Sequence, residues 1–462
     1  MNSLIFLKKG CKILTELFGT DGVRGVANSD LTPELCFKIG RAGAWFLRKN
    51  YSVDKILIGR DTRLSGPMLE GAIVAGITSV GVDVIRLGIV TTPAVALLTR
   101  EGEDACGVMI SASHNPVPDN GIKFFNNEGI KLTEQEEKEI ESLVRKDEDT
   151  LPRPTGEEVG NVSYLEEAGW KYINHVLGKL MPLDLSGFKV VLDCGYGASY
   201  EIAPLIFEKL GAKVIAINNE PNGEKINVEC GSTHPDKAGD MVIDQNADVG
   251  FSFDGDGDRV IALDRQGKTL DGDKILAVLA IYLNSKKELP YSTLVATVMS
   301  NLGLDIAMEK EGINIEKTKV GDRSVLYHMK KNGYILGGEQ SGHIINLREN
   351  VTGDGVITAL NLMKAVKDQG KELGELGSVV KLLPQVLVNV NVDDQEGLWT
   401  DLEIDEQKRK AERELGDKGR VLIRPSGTEP KIRVMVEGQD EEFLHKIANE
   451  LVGVIKKKLT KK

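Results

Sequence analysis

The sequence has few cysteines, few aromatic residues and no long hydrophobic run, and these shortages exclude several classes of protein. Its 462 residues include five cysteines, which lie far apart and form no CxxC pair. This spacing argues against a disulfide framework or a zinc site and is typical of a reducing compartment. No apolar run reaches the roughly 18 residues of a membrane-spanning helix. The apolar stretch at residues 4–7 is too short for a signal peptide, so the sequence predicts a cytoplasmic protein without a membrane partner.

Basic segments are also scarce. Lys and Arg number 58 against 70 Asp and Glu, which gives a formal net charge of −12, and no long basic run is present. The sequence therefore predicts no nucleic-acid partner. Aromatic residues make up only 5% of the chain, so its cores must be built mainly from aliphatic side chains. An acidic protein that binds an anion must concentrate its cations locally, which directs attention to Arg and Lys near glycine-rich loops.

What the chain does contain is a repeated alternation of short apolar strands with helical segments. Lys55–Gly59, Phe188–Asp193 and Thr293–Met299 have strand character, and each is followed by a helical pattern and another strand. This order predicts mostly parallel sheets with crossover helices. The C-terminal part differs, and its pattern predicts a small α+β unit. Linkers are predicted at Lys146–Gly160 and near Gly374–Ser378, where Pro, Gly, Ser or charged residues accumulate.

The first of four polar loops, MISASHNPVPDNGIKFF at 109–125, contains Ser113, His114 and Lys123. Ser, Asn, Asp, Gly and Pro dominate ordinary surface turns, so a solvated turn is one interpretation. The other is a ligand loop, because a predicted strand ends at Ile110 and α/β sheets bind ligands at the carboxyl ends of their strands. A serine at that position could act as a nucleophile or carry a phosphoryl group.

The second loop is DGDGDR, and it directly follows a strand-like run. Asp254, Asp256 and Asp258 would project to one side if the segment were extended, and the glycines between them would let the backbone fold tightly around an ion. Oxygen-only ligands at this spacing indicate a hard cation such as Mg²⁺. A calcium EF-hand is excluded, because Arg259 stands where that loop needs glycine. A solvated acidic turn remains the alternative.

The third loop, GGEQSGHII, combines a carboxylate, an amide, a hydroxyl and an imidazole within five positions. These groups belong to Glu339, Gln340, Ser341 and His343. Sugar hydroxyls are bound by such mixtures of directional donors and acceptors. For His343 alone, an ordinary hydrogen-bonded loop histidine is the alternative.

The fourth loop, RPSGTEPKIR, lies between two predicted strands near the C-terminus. Ser426, Gly427 and Thr428 offer backbone N–H and hydroxyl donors, and Arg424 and Arg433 bracket them. Guanidinium groups beside a glycine-containing turn are typical of a phosphate site. The alternative is a hairpin turn with incidental charge.

Together these motifs resemble those of the α-D-phosphohexomutases. SASHNP with Lys123 downstream, DGDGDR, GGEQSGH and RPSGTEPKIRV occur in the order and at the separations of that superfamily, and FGTDGVRGVAN adds Arg24 as a further anion contact. The resemblance extends from about Leu17 to the last predicted helix. FGTDGVRGVAN, ISASHNPVPDNGIKFF and Gln340 are most similar to the branch that acts on glucosamine phosphates. The branch that acts on mannose and glucose phosphates is the alternative.

The resemblance implies an α/β fold of four domains around a central cleft. Three similar α/β domains with mixed, mostly parallel sheets would precede a smaller C-terminal α+β domain. We expect a phosphoserine-bearing domain at 1–157, a metal-binding domain at 158–261, a sugar-recognition domain at 262–378 and a phosphate-binding domain at 379–462. In this superfamily the first motif usually begins within a few residues of the initiator, which predicts a true start downstream of Met1.

The resemblance also implies roles for individual residues. Ser113 is expected to be the phosphoserine and, through its phosphate, a ligand of one Mg²⁺ that Asp254, Asp256 and Asp258 hold. Lys123, the expected general acid/base, would act beside the transferring group together with Arg24, His114 and Arg259. The sugar is expected to contact Glu339, Ser341 and His343, and the expected contacts of the substrate's phosphate are Arg424, Ser426, Gly427, Thr428 and Arg433.

The implied activity is the interconversion of glucosamine 6-phosphate and glucosamine 1-phosphate. Glucosamine 1,6-bisphosphate would be both intermediate and activator, and the product would supply UDP-N-acetylglucosamine for cell-wall precursors. The enzyme is expected to be a monomer or a homodimer. A metal-dependent phosphatase would not need the RPSGTEP loop, and a non-catalytic sugar-phosphate sensor would not need Ser113, the three carboxylates and Lys123 together.

Overall fold

The chain forms two compact units in the computed structural model, which describes residues 17–19, 21–425 and 431–460. The first unit comprises the chain up to Met299 together with Gly312–Val379, and it contains three sheets. The second comprises Ser300–Glu311 and the chain from Val380 onward, and it contains one sheet. The prediction about the true start concerns residues 1–16, which lie outside the described residues.

The first sheet has six strands and lies in the N-terminal part of the chain. Its elements are β1 (Val23–Val26), α1 (Pro33–Tyr51), β2 (Lys55–Arg60), α2 (Gly66–Thr78), β3 (Asp83–Ile89), α3 (Thr92–Glu101), β4 (Ala105–Ile110), β5 (Asp119–Phe125), α4 (Glu134–Val144) and β6 (Val162–Tyr164). The strand order is β1-β5-β4-β2-β3-β6, and only β5 runs against the others. Every residue of β4 is buried, as expected for a central strand covered on both faces.

The second sheet has five strands. Its elements are α5 (Ala168–Leu180), β7 (Lys189–Asp193), α6 (Ile202–Lys209), β8 (Lys213–Ile217), α7 (Asp236–Asp244), β9 (Val249–Phe253), β10 (Val260–Leu263) and β11 (Thr269–Leu270). The order is β11-β10-β9-β7-β8, in which β7 runs parallel to β8 and β9. Strand β10 is antiparallel to both β9 and β11. The mixed, mostly crossover-connected sheet predicted from the alternation is therefore present.

The third sheet has four strands, ordered β13-β12-β14-β15. The elements of this region are α8 (Gly272–Ser285), β12 (Thr293–Thr297), α9 (Leu302–Lys310), β13 (Asn314–Thr318), α10 (Asp322–Asn332), β14 (Leu336–Gly338), β15 (Ile344–Asn346), α11 (Gly355–Gln369) and α12 (Leu373–Gly377). Strand β12 is parallel to β13 and β14, whereas β15 is antiparallel to β14. Helix α9 belongs to the second compact unit.

The C-terminal sheet is antiparallel and has three strands, ordered β16-β18-β17. Its elements are β16 (Gln385–Asn391), α13 (Leu402–Leu415), β17 (Arg420–Pro425), β18 (Lys431–Glu437) and α14 (Glu441–Leu459). Aliphatic residues of these strands and of both helices form one buried core, which confirms the predicted small α+β unit. Among the described residues no helix combines the length and the apolarity needed to cross a membrane.

The segment Gly374–Ser378, predicted as a linker, ends directly before Val379, the last residue of the first compact unit, but it is folded. Most of this segment lies in α12, in which Leu373 and Leu376 are buried. Gly377 is needed for packing, because a Cβ atom at this residue would lie 2.4 Å from Leu270 Cδ2. Glycine therefore indicates close packing here and not a flexible connection.

The other predicted linker, Lys146–Gly160, contains a single short 3₁₀ turn, and its first half is bound to the first domain. Arg41 of α1 pairs with Asp149 at 2.9 Å and donates hydrogen bonds to the carbonyls of Leu151 and Pro152. Because Arg41 is buried, the connection is fastened to the domain core.

Candidate active site

Three of the four predicted loops occupy the same position in the three sheets of the first compact unit. In each sheet a parallel strand is followed by an antiparallel neighbour, and the loop joins the two: β4 to β5, β9 to β10, and β14 to β15. These loops carry Ser113, the three aspartates and the GEQSGH segment, respectively. Open α/β sheets bind ligands at the carboxyl ends of their parallel strands. The same strand–loop–strand element therefore occurs at a ligand-binding position three times, and each copy carries different polar side chains.

Ser113 is buried and in direct contact with the aspartate loop. Its Oγ donates a hydrogen bond of 2.6 Å to Asp254 Oδ2 and lies 3.3 Å from His114 Nδ1. Its φ angle is +51°, in the left-handed region that residues other than glycine rarely adopt. The two loops that the sequence analysis proposed separately are thus brought together at this serine.

Asp254, Asp256 and Asp258 are all buried, and one carboxylate oxygen from each lies within 4.8 Å of the others. The segment is not extended. Gly257, with φ +71°, donates its N–H to the Asp254 carbonyl at 3.1 Å and closes a turn. The carboxylates therefore converge by folding of the glycine-containing backbone and not, as predicted, by projection from an extended segment, and their burial excludes the alternative of a solvated acidic turn.

The electrostatics of this cluster fit a cation. Burial, followed by the charges of Asp258 and Asp256, holds the pKa of Asp254 well above its usual value. Within the described residues, Asp256 Oδ1 and Asp258 Oδ1 are buried without a hydrogen-bond partner. Asp256 Oδ2 accepts from the Thr92 hydroxyl at 2.6 Å. An all-oxygen donor set with two unused buried oxygens suits a hard divalent ion.

Lys123 supplies positive charge on the other side of the carboxylates. Its Nζ lies 3.0 Å from Asp256 Oδ2, 3.3 Å from Asp21 Oδ2 and 3.7 Å from Asp258 Oδ2. Burial acts to lower the pKa of Lys123, but the carboxylates of Asp21 and Asp256 outweigh it and raise the pKa above the ordinary lysine value. Burial likewise acts to raise the pKa of Asp258, which Lys123 nevertheless holds well below its usual range.

Arg24 and Arg259 add two guanidinium groups to the same region. Arg24 pairs with Asp21 and donates to Asn115 Oδ1 at 3.0 Å. The backbone N–H of Arg259 donates to Asp254 Oδ1 at 3.1 Å, while its side-chain Nε is buried and has no hydrogen-bond partner within the described part of the chain. Both guanidiniums line one cavity, where they can bind an anion that enters it.

His114 differs from these cations because it is neutral at neutral pH. Burial, then the positive charges of Arg259 and Arg24, lower the pKa of His114 to about 4. Its Nδ1 is the imidazole nitrogen that lies 3.3 Å from Ser113 Oγ. A neutral ring can donate a hydrogen bond from one nitrogen and accept one at the other.

The GEQSGH loop, which is predicted to recognise the sugar, lines a cavity with a volume of about 360 Å³. Arg24, His114 and Arg259 line the same cavity. Glu339 Oε1 accepts from the Gly321 N–H at 3.0 Å, and Ser341 is exposed. The other walls include Gln340, His343 and Met299. The residues predicted for sugar recognition therefore face the same space as Arg24, His114 and Arg259, whereas Ser113 and Lys123 are buried and are not among the described residues that line it.

His343 joins this loop to the aspartates. Its Nε2 accepts from the Gly353 N–H at 3.1 Å, and its Nδ1 lies 3.6 Å from Asp258 Oδ2. Burial acts to lower the pKa of His343, but the Asp258 carboxylate more than compensates and raises it. Gly353 permits this contact, because a Cβ atom there would lie 2.5 Å from the imidazole ring. His343 is thus a hydrogen-bonded loop histidine, as the alternative interpretation stated, and its ring also lies beside the carboxylate cluster.

A second ion network, which the sequence motifs did not predict, lies along the cavity wall. Lys131 Nζ lies 2.6 Å from Asp21 Oδ1 and 2.5 Å from Asp322 Oδ2, and all three residues line the cavity. Asp21 lies inside the quoted FGTDGVRGVAN segment, where a carboxylate three residues before Arg24 was a usable signal. Lys131 and Asp322 are isolated in the chain, and no local pattern marks them.

In the second compact unit, Arg424 and Arg433 are directly opposite each other on β17 and β18. Neither has a carboxylate within 4 Å in the described ranges, and Arg433 Nε is buried without a partner there. Burial and the charge of Arg433 lower the pKa of Arg424. Like charges facing each other across strands destabilise a sheet, so this pair favours an anion. The predicted contacts Ser426, Gly427 and Thr428 lie outside the described residues.

Comparison with known proteins agrees with this arrangement. Four domain families described as phosphoglucomutase/phosphomannomutase match the chain: α/β/α domain I at residues 15–151, domain II at 170–267, domain III at 271–382 and the C-terminal domain at 387–454. A structure of a phosphoglucomutase/phosphomannomutase family protein from Burkholderia thailandensis superposes with a TM-score of 0.80 at 24% identity, covering 96% of this chain and 97% of that one. At that identity the match shows the fold alone.

Curated relatives are much closer in sequence. Phosphoglucosamine mutase from Natranaerobius thermophilus is 57% identical over 448 residues, which cover 96% of this chain and 99% of the relative. Phosphoglucosamine mutase from Acetivibrio thermocellus is 52% identical over 446 residues, with coverages of 96% and 99%. The resemblance to the α-D-phosphohexomutases is confirmed. The chain belongs to the phosphoglucomutase/phosphomannomutase family and, within it, to the phosphoglucosamine mutases.

Proposed function

We propose that the protein interconverts glucosamine 6-phosphate and glucosamine 1-phosphate through a phosphoserine at Ser113 and a glucosamine 1,6-bisphosphate intermediate. The observation that carries the proposal is the 2.6 Å contact of Ser113 Oγ with Asp254, which puts the second serine of the SASHNP motif in contact with the carboxylate cluster of the DGDGDR loop. Relatives at 50–57% identity that bear the name phosphoglucosamine mutase support the choice of sugar.

The metal in this proposal is Mg²⁺. Asp254, Asp256 and Asp258 would hold it together with a phosphate oxygen on Ser113, since their donor set is all oxygen and two of those oxygens have no hydrogen-bond partner among the described residues. When bound, the ion supplies positive charge that stabilises the transferring phosphoryl group.

The transfer itself requires an acceptor hydroxyl in line with the phosphoserine. The C1 hydroxyl of glucosamine 6-phosphate attacks the phosphorus, the bond to Ser113 Oγ breaks, and one proton passes in the opposite direction, from the sugar to the serine. In the second transfer Ser113 Oγ attacks the 6-phosphoryl group, the bond from phosphorus to O6 breaks, the serine proton passes to O6, and glucosamine 1-phosphate is released. Such reactions depend mainly on positioning and on neutralising charge on the phosphoryl oxygens.

Lys123, Arg24 and Arg259 provide that neutralisation from the protein, and Lys123 is our candidate for the general acid/base. The carboxylates beside Lys123 raise its pKa, so in this arrangement its amine is protonated and holds its proton tightly. Neutralising Asp256 and Asp258 would weaken that effect and allow Lys123 to give up its proton. His114, which stays neutral, is placed to hydrogen-bond the serine oxygen.

Glu339, Ser341 and His343 are the proposed contacts of the sugar hydroxyls, because all three line the cavity next to Arg24 and Arg259. The substrate must bind in two orientations, one for each phosphoryl position. A small number of directional contacts is compatible with both orientations. Two arginines facing each other, Arg424 and Arg433, are the proposed contacts of a substrate phosphate, together with Ser426, Gly427 and Thr428.

We also infer that the enzyme works in the cytoplasm as a monomer or a homodimer. Cys36, Cys106, Cys194 and Cys230 are buried free thiols, as is usual for proteins of a reducing compartment.

The proposal is tested by incubating the purified protein with glucosamine 6-phosphate, Mg²⁺ and a catalytic amount of glucosamine 1,6-bisphosphate. Phosphorus NMR should show the 6-phosphate signal replaced by a 1-phosphate signal until equilibrium. Glucosamine 6-phosphate should react faster than mannose 6-phosphate or glucose 6-phosphate. A preference for either of those sugars would assign the protein to phosphomannomutase/phosphoglucomutase chemistry instead, and release of inorganic phosphate alone would indicate a phosphatase.

Arg424→Ala should lower kcat/KM for the sugar phosphate by about ten- to a hundredfold, the usual effect of losing one charge-assisted contact. The phosphoryl group on Ser113 and the response to Mg²⁺ should be unchanged, because Arg424 belongs to a different compact unit from Ser113 and the aspartates. The variant should also need more added bisphosphate, since weaker binding lets the intermediate escape. Wild-type kcat/KM with no greater need for bisphosphate would refute a phosphate contact at Arg424.

A further inference from the structure

We propose that Arg63 is a positioning residue for phosphoryl transfer, which holds the Ser113 loop in the conformation that directs Ser113 Oγ to the aspartates. This inference rests on the proposed function of Ser113 and adds a residue to it. Arg63 follows β2 and Ser113 follows β4, and these strands are parallel neighbours whose carboxyl ends lie side by side. Arg63 is buried and is absent from the lining of the cavity, so its part in the reaction is indirect.

Arg63 uses all five hydrogens of its guanidinium group within this region. Its Nε donates to Asp61 Oδ2 at 3.0 Å. Its two terminal nitrogens donate to four backbone carbonyls of one loop, those of Ser113 (3.0 Å), Asn115 (2.8 Å), Pro116 (2.7 Å) and Asp119 (2.9 Å). The side chain of Arg63 thus binds four backbone carbonyls of the loop that begins at Ser113, the proposed phosphoserine.

The Ser113 backbone needs such support. Its φ of +51° is unfavourable for a residue with a Cβ atom, and conformations of this kind persist only where the surroundings over-determine them. The Ser113 carbonyl is held by Arg63 and also by Asn227 Nδ2 at 2.9 Å. The Ser113 N–H donates to Ser111 Oγ at 2.8 Å. Both polar groups of the serine backbone are therefore fixed.

These contacts form a closed ring. Ser111, which receives the Ser113 N–H, donates its own hydroxyl hydrogen to Asp61 Oδ2 at 2.6 Å. Asp61 in turn pairs with Arg63, and neither side chain of this pair is exposed to solvent. The ring Arg63–Asp61–Ser111–Ser113 ties the left-handed serine to a buried ion pair. A lysine at residue 63 would keep the charge, but its three hydrogens in tetrahedral geometry cannot replace five in a plane.

The test is Arg63→Lys, measured as kcat, KM and amide hydrogen exchange of residues 113–119. We expect kcat to fall by about ten- to a hundredfold, because a small displacement of the reacting oxygen is enough for a loss of that size. KM for glucosamine 6-phosphate should stay within about threefold of the wild-type value, since no substrate contact is removed. Exchange of the loop amides should become faster, and this readout does not depend on activity.

Arg41→Lys is the matched control. Arg41 is likewise buried, likewise paired with a carboxylate, and likewise donates to backbone carbonyls, but it fastens residues 149–152 to α1. We expect a comparable loss of thermal stability in both variants and an unchanged kcat only in Arg41→Lys. An equal loss of kcat in both would show that general destabilisation is the cause and would overturn the proposal.

Ser111→Ala tests the same ring with a change too small to prevent folding. It removes the acceptor of the Ser113 N–H and the donor to Asp61, so it should lower kcat by about three- to tenfold and should speed exchange of the Ser113 amide. Wild-type kcat and exchange in Arg63→Lys, or in Ser111→Ala if Arg63→Lys does not fold, would also overturn the proposal. If the wild-type protein instead fails to isomerise glucosamine phosphates, the proposed function fails, and the exchange data still decide whether Arg63 positions the loop.

Discussion

Ser113→Ala is expected to abolish mutase turnover while the protein remains folded. The substitution removes the oxygen that carries the phosphoryl group, and loss of a covalent nucleophile lowers kcat by about a thousandfold or more. It also removes one hydrogen bond to Asp254, which should cost about 1–3 kcal/mol of stability. That cost is smaller than the 5–15 kcal/mol typical of a folded domain. Steady-state kinetics and intact mass provide the measurements, and the variant should lack the mass of a phosphoryl group.

Ser252→Ala is a suitable control for this experiment. Ser252 is a buried serine of β9, the strand that leads into the aspartate loop, and its Oγ has no hydrogen-bond partner among the residues the structure describes. Removing an unpaired buried hydroxyl should leave turnover and stability close to wild type. Near-normal turnover in Ser113→Ala would be incompatible with the phosphoserine mechanism.

Asp256→Asn should nearly eliminate activation by Mg²⁺, with kcat/KM reduced by about a hundredfold or more at any Mg²⁺ concentration. The change preserves shape but removes one negative charge from the cluster and replaces one carboxylate oxygen by an amide NH₂. Oδ1 of Asp256 has no hydrogen-bond partner in the described part of the chain, so it is free to bind the ion. A bound ligand raises the melting temperature, and titration with Mg²⁺ should therefore shift the wild-type Tm but not that of Asp256→Asn.

Asp264→Asn separates this effect from the loss of a buried carboxylate in general. Asp264 is also buried, but its Oδ1 accepts the backbone N–H groups of Gln266 and Lys268 in a turn after β10. This variant should lose stability and keep a normal Mg²⁺ response. Unchanged Mg²⁺ dependence in Asp256→Asn would count against a metal site in the aspartate loop.

Ser113 and the aspartates came together because each loop follows the carboxyl end of a strand in its own sheet, and the packing of the two sheets brings those strand ends into contact. Ser113 and Asp254 lie 141 positions apart in the chain, yet they share a hydrogen bond. The sequence predicted both loops from local composition and predicted their proximity only through the family resemblance. Residues with no such local signature were missed. Thr92 contacts Asp256 from the start of α3, and nothing around it in the sequence distinguishes it from an ordinary helix-starting threonine.

The role of a glycine, too, can be predicted from the local sequence at some residues and only from the tertiary structure at others. Around Asp256 the glycines were interpreted as a means of turning the backbone, and Gly257 has the positive φ that this requires. At Gly377 the same residue type was interpreted as part of a linker, whereas it packs closely against Leu270 in a helix. The sequence shows that a glycine has no side chain. Whether this makes the backbone flexible or allows close packing depends on the residues that surround the glycine in the folded structure.

By itself, therefore, the sequence determined the kind of chemistry, because the carboxylates, Ser113 and the groups proposed to bind the sugar each fall within a short segment that local composition reveals. The tertiary structure decided the supporting arrangement. Lys131 reaches Asp21 across 110 positions and Asp322 across 191, and Arg63 reaches the Ser113 carbonyl across 50. Such contacts depend on how sheets and loops pack. Each contact involves only one residue from each of two distant segments. No periodicity or motif records them, because the physical constraint acts between distant parts of the chain.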